Sequence, residues 1–457
     1  MIFDIEKYST LPKDWSKVKL SDLADFNAKS WSKKDKPNTI HYIDISSVST
    51  GRVENPTGML FDEAPSRARR KVSSGDIIIS TVRPNLKQFA LLDFELENLT
   101  ASTGFCTITP KKAEYTWLIY SIITTDIFTE HLVRVAQGAA YPAIKPSDIA
   151  DAYVGLPPEH ELMEFNLLVS ALWQKQSVNE TMNQTLEKIA QRIFKSWFID
   201  FDPVKANKEG LAFDGLSPEI QALFPSEFEE SELGMIPKEW EVKTFEDMLS
   251  YTIGGDWGKD VPDDKHTEAV RIIRGTDFPK AMVGDDSSIP FRYVESKKLS
   301  KRKLIAGDIL IEVSGGSPTQ PTGRVIRISD ELLEQLCLPV EPASFCRIFR
   351  PLINVDKYAY LHLRKLYDDG GTWKYQNQST GISNFQTKFF LSEEKIAEIP
   401  DEILNAFNHV VNPLFDKMSV NAFQNSTLSK LRDRLLPKLI SGQITVGEAQ
   451  KELAEVI

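Results

Sequence analysis

Asn183-Gln184-Thr185-Leu186-Glu187-Lys188-Ile189-Ala190-Gln191-Arg192 returns far downstream as Asn425-Ser426-Thr427-Leu428-Ser429-Lys430-Leu431-Arg432-Asp433-Arg434. Asn, Thr, Leu, Lys and Arg recur at the same spacing, and each copy lies in a longer heptad pattern. In the first pattern Leu172, Asn179, Leu186 and Ile193 fill one seam position, and Leu168, Lys175, Met182 and Ile189 the other. The second repeats this in phase, with Leu414, Asn421, Leu428 and Leu435 against Val410, Lys417, Gln424 and Leu431. Each predicts a helix of roughly 35 residues, about 50 Å long. A sustained apolar seam seeks a partner helix. Because the two seams match, the expectation is an antiparallel coiled coil between the copies. The plainer alternative packs each helix on its own β-rich domain. Asn179 and Asn421 hold equivalent seam positions and are expected to meet near the middle, fixing register at some cost in stability.

Outward from the helices the duplication continues. Leu11-Pro12-Lys13-Asp14-Trp15 returns as Ile236-Pro237-Lys238-Glu239-Trp240. Arg69-Arg70-Lys71 followed by Gly75-Asp76-Ile77-Ile78-Ile79 returns as Lys301-Arg302-Lys303 followed by Gly307-Asp308-Ile309-Leu310-Ile311. Phe105-Cys106 matches Phe345-Cys346. Such a long period means a duplicated domain pair and not a solenoid. The β-branched and aromatic runs ahead of each helix, punctuated by Gly, Pro, Asn and Ser, read as short strands and turns. The predicted class is α+β: two similar β-rich domains separated by two long antiparallel coiled-coil helices, with an internal pseudo-twofold repeat. The boundaries expected are 1–158 and 235–399 for the β-rich domains, 159–200 and 400–457 for the helical parts, and 201–234 for a linker. Pro203, Pro218, Pro225 and the acidic run Glu227–Glu232 read as an exposed connector of limited flexibility.

The chain of 457 residues has 54 Lys plus Arg against 65 Asp plus Glu, a net charge of −11. That balance argues against wholesale coating of nucleic acid, yet leaves room for local basic patches or for cationic partner subunits. Three cysteines cannot build a disulfide framework or a four-cysteine zinc site. No apolar run approaches the length of a membrane helix, and the first residues lack a basic segment followed by an apolar one. The expected setting is cytoplasmic, away from membranes.

The catalytic patterns tested do not fit. Asn412-Pro413-Leu414-Phe415 lacks the second proline of an amino-methyltransferase motif. Gly254-Gly255-Asp256-Trp257-Gly258-Lys259 has Ile253 where a phosphate loop needs glycine, and Asp260 where it needs Ser or Thr. A nuclease-like pairing of Asp263 with Glu295 and Lys297 is of a kind that arises by chance in a charged chain. The six histidines show no ligand spacing.

Binding chemistry has more support. Arg67, Arg69, Arg70 and Lys71 precede the first Gly-Asp strand, and Lys301, Arg302 and Lys303 the second, a placement suited to phosphate contacts. After each strand comes a loop of hydrogen-bonding residues, carrying Arg83, Asn85, Lys87 and Gln88 in the first copy and Ser314, Ser317 and Gln320 in the second. Two later loops add Gln137, Tyr141 and Lys145, then Lys374, Tyr375, Gln376 and Asn377 ahead of Gln378. Arg suits guanine, and Asn or Gln suits adenine. Divergence of these loops between otherwise similar copies is expected of two sites that read different sequences. For each cluster and loop, the plainer alternative is ordinary solvated surface.

Phe194-Lys195-Ser196-Trp197-Phe198-Ile199-Asp200-Phe201-Asp202-Pro203-Val204-Lys205-Ala206 resembles the segment that ends the central helix of type I restriction–modification specificity (S) subunits. Ser231 to Trp240 resembles that family's entry into its second target-recognition domain, and Leu431 to Gly442 its C-terminal helix end. The resemblance implies two target-recognition domains reading a bipartite, asymmetric duplex DNA target, with the helices as a ruler for the spacer. It further implies two methyltransferase (M) subunits docked on the helices and, in the full complex, two restriction–translocase (R) subunits. S-adenosylmethionine, ATP and Mg2+ would then belong to those partners, and this chain would be non-catalytic. A protein-interaction scaffold that does not read DNA, and a self-sufficient methyltransferase or nuclease, are the alternatives from other classes.

Overall fold

A computed structural model describes all residues except 1, 33, 317–319, 380, 381, 456 and 457. The chain divides into two units. One combines Met1–Lys175 with Ser429–Ile457; the other is Gln176–Leu428.

In the first unit, one four-stranded sheet runs in the order Ala24–Phe26, Phe105–Pro110, Ile77–Ser80, Phe89–Leu91. A second runs Thr57–Leu60, Thr39–Ile43, Leu99–Ser102, Ala68–Lys71. Ser16–Lys19 pairs with Tyr153–Leu156. The second unit repeats the plan. Its sheets run Leu249–Gly254, Cys346–Pro351, Ile309–Glu312, Val325–Arg327, and Phe291–Glu295, His266–Ile273, Val340–Pro342, with Val242–Thr244 paired to Lys395–Ala397.

The Gly-Asp motif explains why the central strands begin where they do. Gly75 and Gly307 both have φ of +88°, a turn conformation that costs little only without a Cβ. The next carboxylate closes the turn: Asp76 accepts from the Ser73 N–H at 2.8 Å, and Asp308 from the Ile305 N–H at 2.9 Å. The four residues that follow in each copy are fully buried. Strand register corrects one part of the repeat. Phe105 pairs with Ser80 and Cys346 with Glu312, so Phe105 corresponds to Cys346, and Phe345 falls on the exposed turn instead.

Two forty-residue helices, α1 (Glu159–Phe198) and α2 (Asp401–Ile440), run through both units. Within the second unit they pack antiparallel, residue 176 lying beside 425 and 183 beside 418. Leu172, Asn179, Leu428, Asn421 and Leu435 are buried as expected, while Leu186, Ile193 and Leu414 are half-buried. The other seam position lies one residue further along than the sequence pattern indicated. Val169, Gln176, Asn183 and Ala190 face inward on α1, whereas Lys175, Met182 and Ile189 are exposed and Leu168 is half-buried. On α2 the inward residues are Val411, Met418 and Asn425; Lys417 is exposed, Val410 and Gln424 are half-buried, and Leu431 alone of the expected set is buried. Both choices complete a 3-4 heptad spacing, and Leu168, Met182 and Ile189 are the more apolar, so periodicity alone selects the wrong one.

The asparagines do not meet as predicted either. Asn179 donates to Asn425 Oδ1 and Asn421 donates to Asn183 Oδ1, both at 2.9 Å. Asn183 in turn donates to the Met418 carbonyl, and Asn425 to that of Gln176. The four residues form a two-fold symmetric, fully buried layer, in which each copy's first asparagine is paired with the other copy's second.

Residues 201–234 are folded, contrary to the expected exposed connector. They contain the helix Asp202–Glu209 and a hairpin from Phe228–Ser231 to Gly234–Pro237. Val204 and Phe224 are buried, and the Gln221 side chain bonds Asn207, Leu211 and Phe213.

Candidate nucleic-acid interface

In the first unit, the strand Ile77–Ser80 leads into a loop zipped to the segment 137–145. Val82 bridges to Ala143, the Arg83 N–H donates to the Pro142 carbonyl at 2.7 Å, and the Ile144 N–H to that of Thr81 at 2.9 Å. Gln137 and Ala143 exchange both backbone hydrogen bonds, closing the second loop on itself. Gly138 makes that closure possible: its φ is +107°, and a Cβ there would lie 2.9 Å from the Tyr141 carbonyl oxygen. The two loops singled out in the sequence are thus one junction.

The second unit builds the same junction. Ser314 pairs with Asn384 and Gly315 with Ser383, and the strand Ile382–Phe385 pairs in turn with Gln376–Ser379. Counted from the Gly-Asp motif, Ser314 is the counterpart of Val82, so equivalent positions bridge in the two copies. Asn384, bonded by the Ser314 hydroxyl at 2.5 Å, was not legible in sequence, because nothing marks the return strand of this hairpin. Phe345, 64% exposed, adjoins the same junction through the bond from the Val313 N–H to its carbonyl. The one-residue slip in the repeat alignment had hidden it.

The expected base readers divide by what holds them. Arg83, Asn85, Gln137, Tyr141, Lys145, Gln320, Lys374 and Asn377 are exposed. Lys87 pairs with Asp126 at 2.5 Å, and Gln88 donates to the Ile45 and Val48 carbonyls. Gln376 accepts from both the N–H and the hydroxyl of Thr322, which makes it part of the scaffold. Tyr375 departs most from expectation. It is buried, and its hydroxyl donates to Glu394 at 2.5 Å. Glu394 also accepts from His362 at 2.8 Å and pairs with Lys374 at 3.1 Å. Burial pushes this carboxyl up, but the His362 and Tyr375 hydrogen bonds and nearby positive charge outweigh it and leave it at about 2. Burial and the same bond push the Tyr375 hydroxyl well up. Ser317 and the Gln378 side chain lie outside the described residues.

The two basic clusters are not structural equivalents. Arg69, Arg70 and Lys71 lie on a strand, whereas Lys301 and Arg302 end the helix Ser296–Arg302 and Lys303 follows it. Arg67 pairs with Asp44 at 2.7 Å, Lys71 with Asp35, Arg69 lies over the Phe61 ring, and Arg70 reaches Ser30. Lys301 and Lys303 are exposed. Arg302 turns inward, donating to the Gly254 carbonyl at 2.9 Å. Its charge acts on Glu341, which is fully buried with neither carboxylate oxygen hydrogen-bonded.

Burial raises the Glu341 carboxyl to about 7, with Arg302 opposing. The folded state therefore holds this proton more tightly than the unfolded chain, and stability falls as pH rises from the ordinary value of 4.5 through 7. Glu341→Gln should thus be more stable than the parent at pH 8, by about 3 kcal/mol, and equal to it near pH 4.5. Urea unfolding at the two pH values measures this; a gain of the same size at both would mean that Glu341 does not titrate.

Among the described residues, no helix is long and apolar enough to cross a membrane, and no group of three or more His, Cys, Asp or Glu is placed to hold a metal ion.

Residues 12–191 match the family model described as type I restriction modification DNA specificity domain. The chain is similar to the type I restriction enzyme HindI specificity subunit of Haemophilus influenzae, at 25% identity over 94% of this chain and 100% of that one. It is similar to the MjaIX specificity subunit of Methanocaldococcus jannaschii, at 25% identity over 96% and 95% respectively. Among solved structures it shares its fold with the type I restriction–modification S subunit from M. genitalium, at 14% identity, 94% and 98% coverage, and a TM-score of 0.50.

Proposed function

We propose, from the premise that this chain belongs to the family of type I restriction–modification specificity subunits, that it reads a bipartite, asymmetric duplex DNA target for such a complex and carries no catalysis of its own. The observation that carries this reading is the duplicated loop junction, zipped at equivalent positions and lined by unlike residues. Like frames with different side chains suit recognition of two different half-sites. Arg83, Asn85, Gln137, Tyr141 and Lys145 would face one half; Gln320, Phe345, Lys374 and Asn377 the other. The exposed Lys301 and Lys303 would contact phosphates, a role that Arg302 leaves to them.

Two methyltransferase subunits would dock on the helices and supply S-adenosylmethionine chemistry. Two restriction–translocase subunits would add the ATP- and Mg2+-dependent steps in the cytoplasm. Support for docking comes from the part of α1 in the second unit, where Val178, Met182 and Ile189 are exposed along one face. Unpaired apolar residues at helical spacing are what a partner helix covers.

The test is reconstitution with the methyltransferase subunits, followed by mapping of methylated adenines and gel shift against competitor DNA. The expected outcome is a two-part motif. Asn85→Ala should relax preference in one part only, and Asn377→Ala in the other. An assembled complex without sequence preference would make the chain a scaffold, and methyl transfer by this chain alone would make it an enzyme.

A further inference from the structure

The two junctions differ in one respect that bears on which base is read. At the position where the second unit has Gly315, the first has Arg83, counted from the shared Gly-Asp motif. Gly315 has φ of +150°; Arg83 has φ of +50°, in the left-handed region that a residue with a Cβ rarely adopts. Glycine would relieve that strain, so the guanidinium itself must account for an arginine there.

Its surroundings indicate what the guanidinium does. It stacks 4.8 Å over the ring of Tyr141, which is 69% exposed. Among the described residues no carboxylate pairs with it, whereas Arg67, Lys71 and Lys87 each hold one. The loop beneath is immobilised from both sides, by the Arg83 N–H bond to Pro142 and by the closed ring from Gln137 to Ala143. A planar fork of donors, exposed, stacked on one face and unpaired, is preorganised for two parallel acceptors in its own plane. On a duplex, O6 and N7 of guanine in the major groove present that pair.

We infer that Arg83, positioned by Tyr141, reads a guanine in the half-site that the first unit contacts. This deepens the proposed function and rests on it. The second unit has no cation at the matching position and reads its own half without this contact.

The test uses the chain assembled with its methyltransferase subunits, on duplexes carrying the mapped motif with 7-deazaguanine at one guanine at a time. One position, in one half only, should lose about tenfold or more in affinity. Arg83→Gly, which suits the backbone, should show the same loss on ordinary DNA and no further loss on the 7-deaza duplex. Preference in the other half serves as the control for folding. Arg83→Lys should recover only part of the discrimination. Tyr141→Phe should retain it and Tyr141→Ala weaken it, as expected of a positioning residue. Unchanged preference in Arg83→Gly, a uniform loss on all DNA with a shallower salt dependence, or a half-site without a guanine would each overturn the inference while leaving DNA recognition intact. A parent complex with no sequence preference would overturn both.

Discussion

Replacing Asn179 and Asn421 together with leucine should destabilise the chain by about 2 kcal/mol, the opposite of what an apolar-for-polar exchange in a coiled-coil seam normally brings. If the two met each other, the exchange would remove a matched polar pair and improve packing. They do not. Each donates to the other copy's second asparagine, so the double change leaves the Asn183 and Asn425 side-chain oxygens buried and without donors. The Asn179 and Asn421 oxygens already lack donors, so the exchange removes two orphaned acceptors as it creates two, and the net cost is that of the two lost hydrogen bonds, about 1 kcal/mol each. Extending the change to all four asparagines should recover much of the loss, because no polar partner is then stranded, while the helices lose the group that fixes their register. Urea midpoints of the parent, double and quadruple variants read this non-additivity directly. A double variant more stable than the parent would show that the layer is not bonded as described.

Removing Glu394 should have an effect of similar size but local to the second unit. Its carboxylate is the common acceptor for the buried Tyr375 hydroxyl and the His362 ring, and it holds Lys374 at the surface. Glu394→Ala strands the buried Tyr375 hydroxyl and the half-buried His362 ring and should cost about 3 kcal/mol. The segment Lys374–Asn377 rests on this carboxylate, so discrimination at one half of the DNA target should fall with it and the other half should be spared. The carboxyl is held at about 2, below its ordinary 4.5. Its contribution is therefore complete above pH 4.5 and is lost as pH falls toward 2. Glu394→Gln keeps the shape and removes the titration. Acid unfolding of the parent should fall off more steeply across that window than that of the variant, and parallel curves would count against the network.

The duplication and the long helices were legible because they rest on period and identity, which survive without knowledge of contacts. The seam was half legible. Asn179 and Asn421 point inward as the pattern required, but Met182 and Ile189 are apolar for an outward face, and period cannot tell two apolar faces of one helix apart. At the interface, the loops after each Gly-Asp strand were identifiable from their residue types. That Val82 would meet Ala143, and Ser314 Asn384, was not, since pairing across such separations is set by the tertiary fold. Tyr375 shows the limit of composition: a tyrosine among Lys, Gln and Asn looks like surface until its acceptor, nineteen residues on, is known.

The first unit is assembled from two stretches of chain with the whole of the second unit between them. Trp173 lies 4.3 Å from the Arg432 guanidinium, the Ser9 hydroxyl donates to the Ser441 carbonyl, and a Cβ on Gly442 would strike Pro12. During synthesis, the strands of the first unit leave the ribosome early, yet they lack their second helix until residues from Ser429 onward are made, roughly tens of seconds later. The unit begun first is completed last, and the second unit can close before it. A premature stop late in the message would therefore do its damage at the opposite end of the sequence. The β-rich half encoded at the start would lose its support, while the half nearer the stop would be complete.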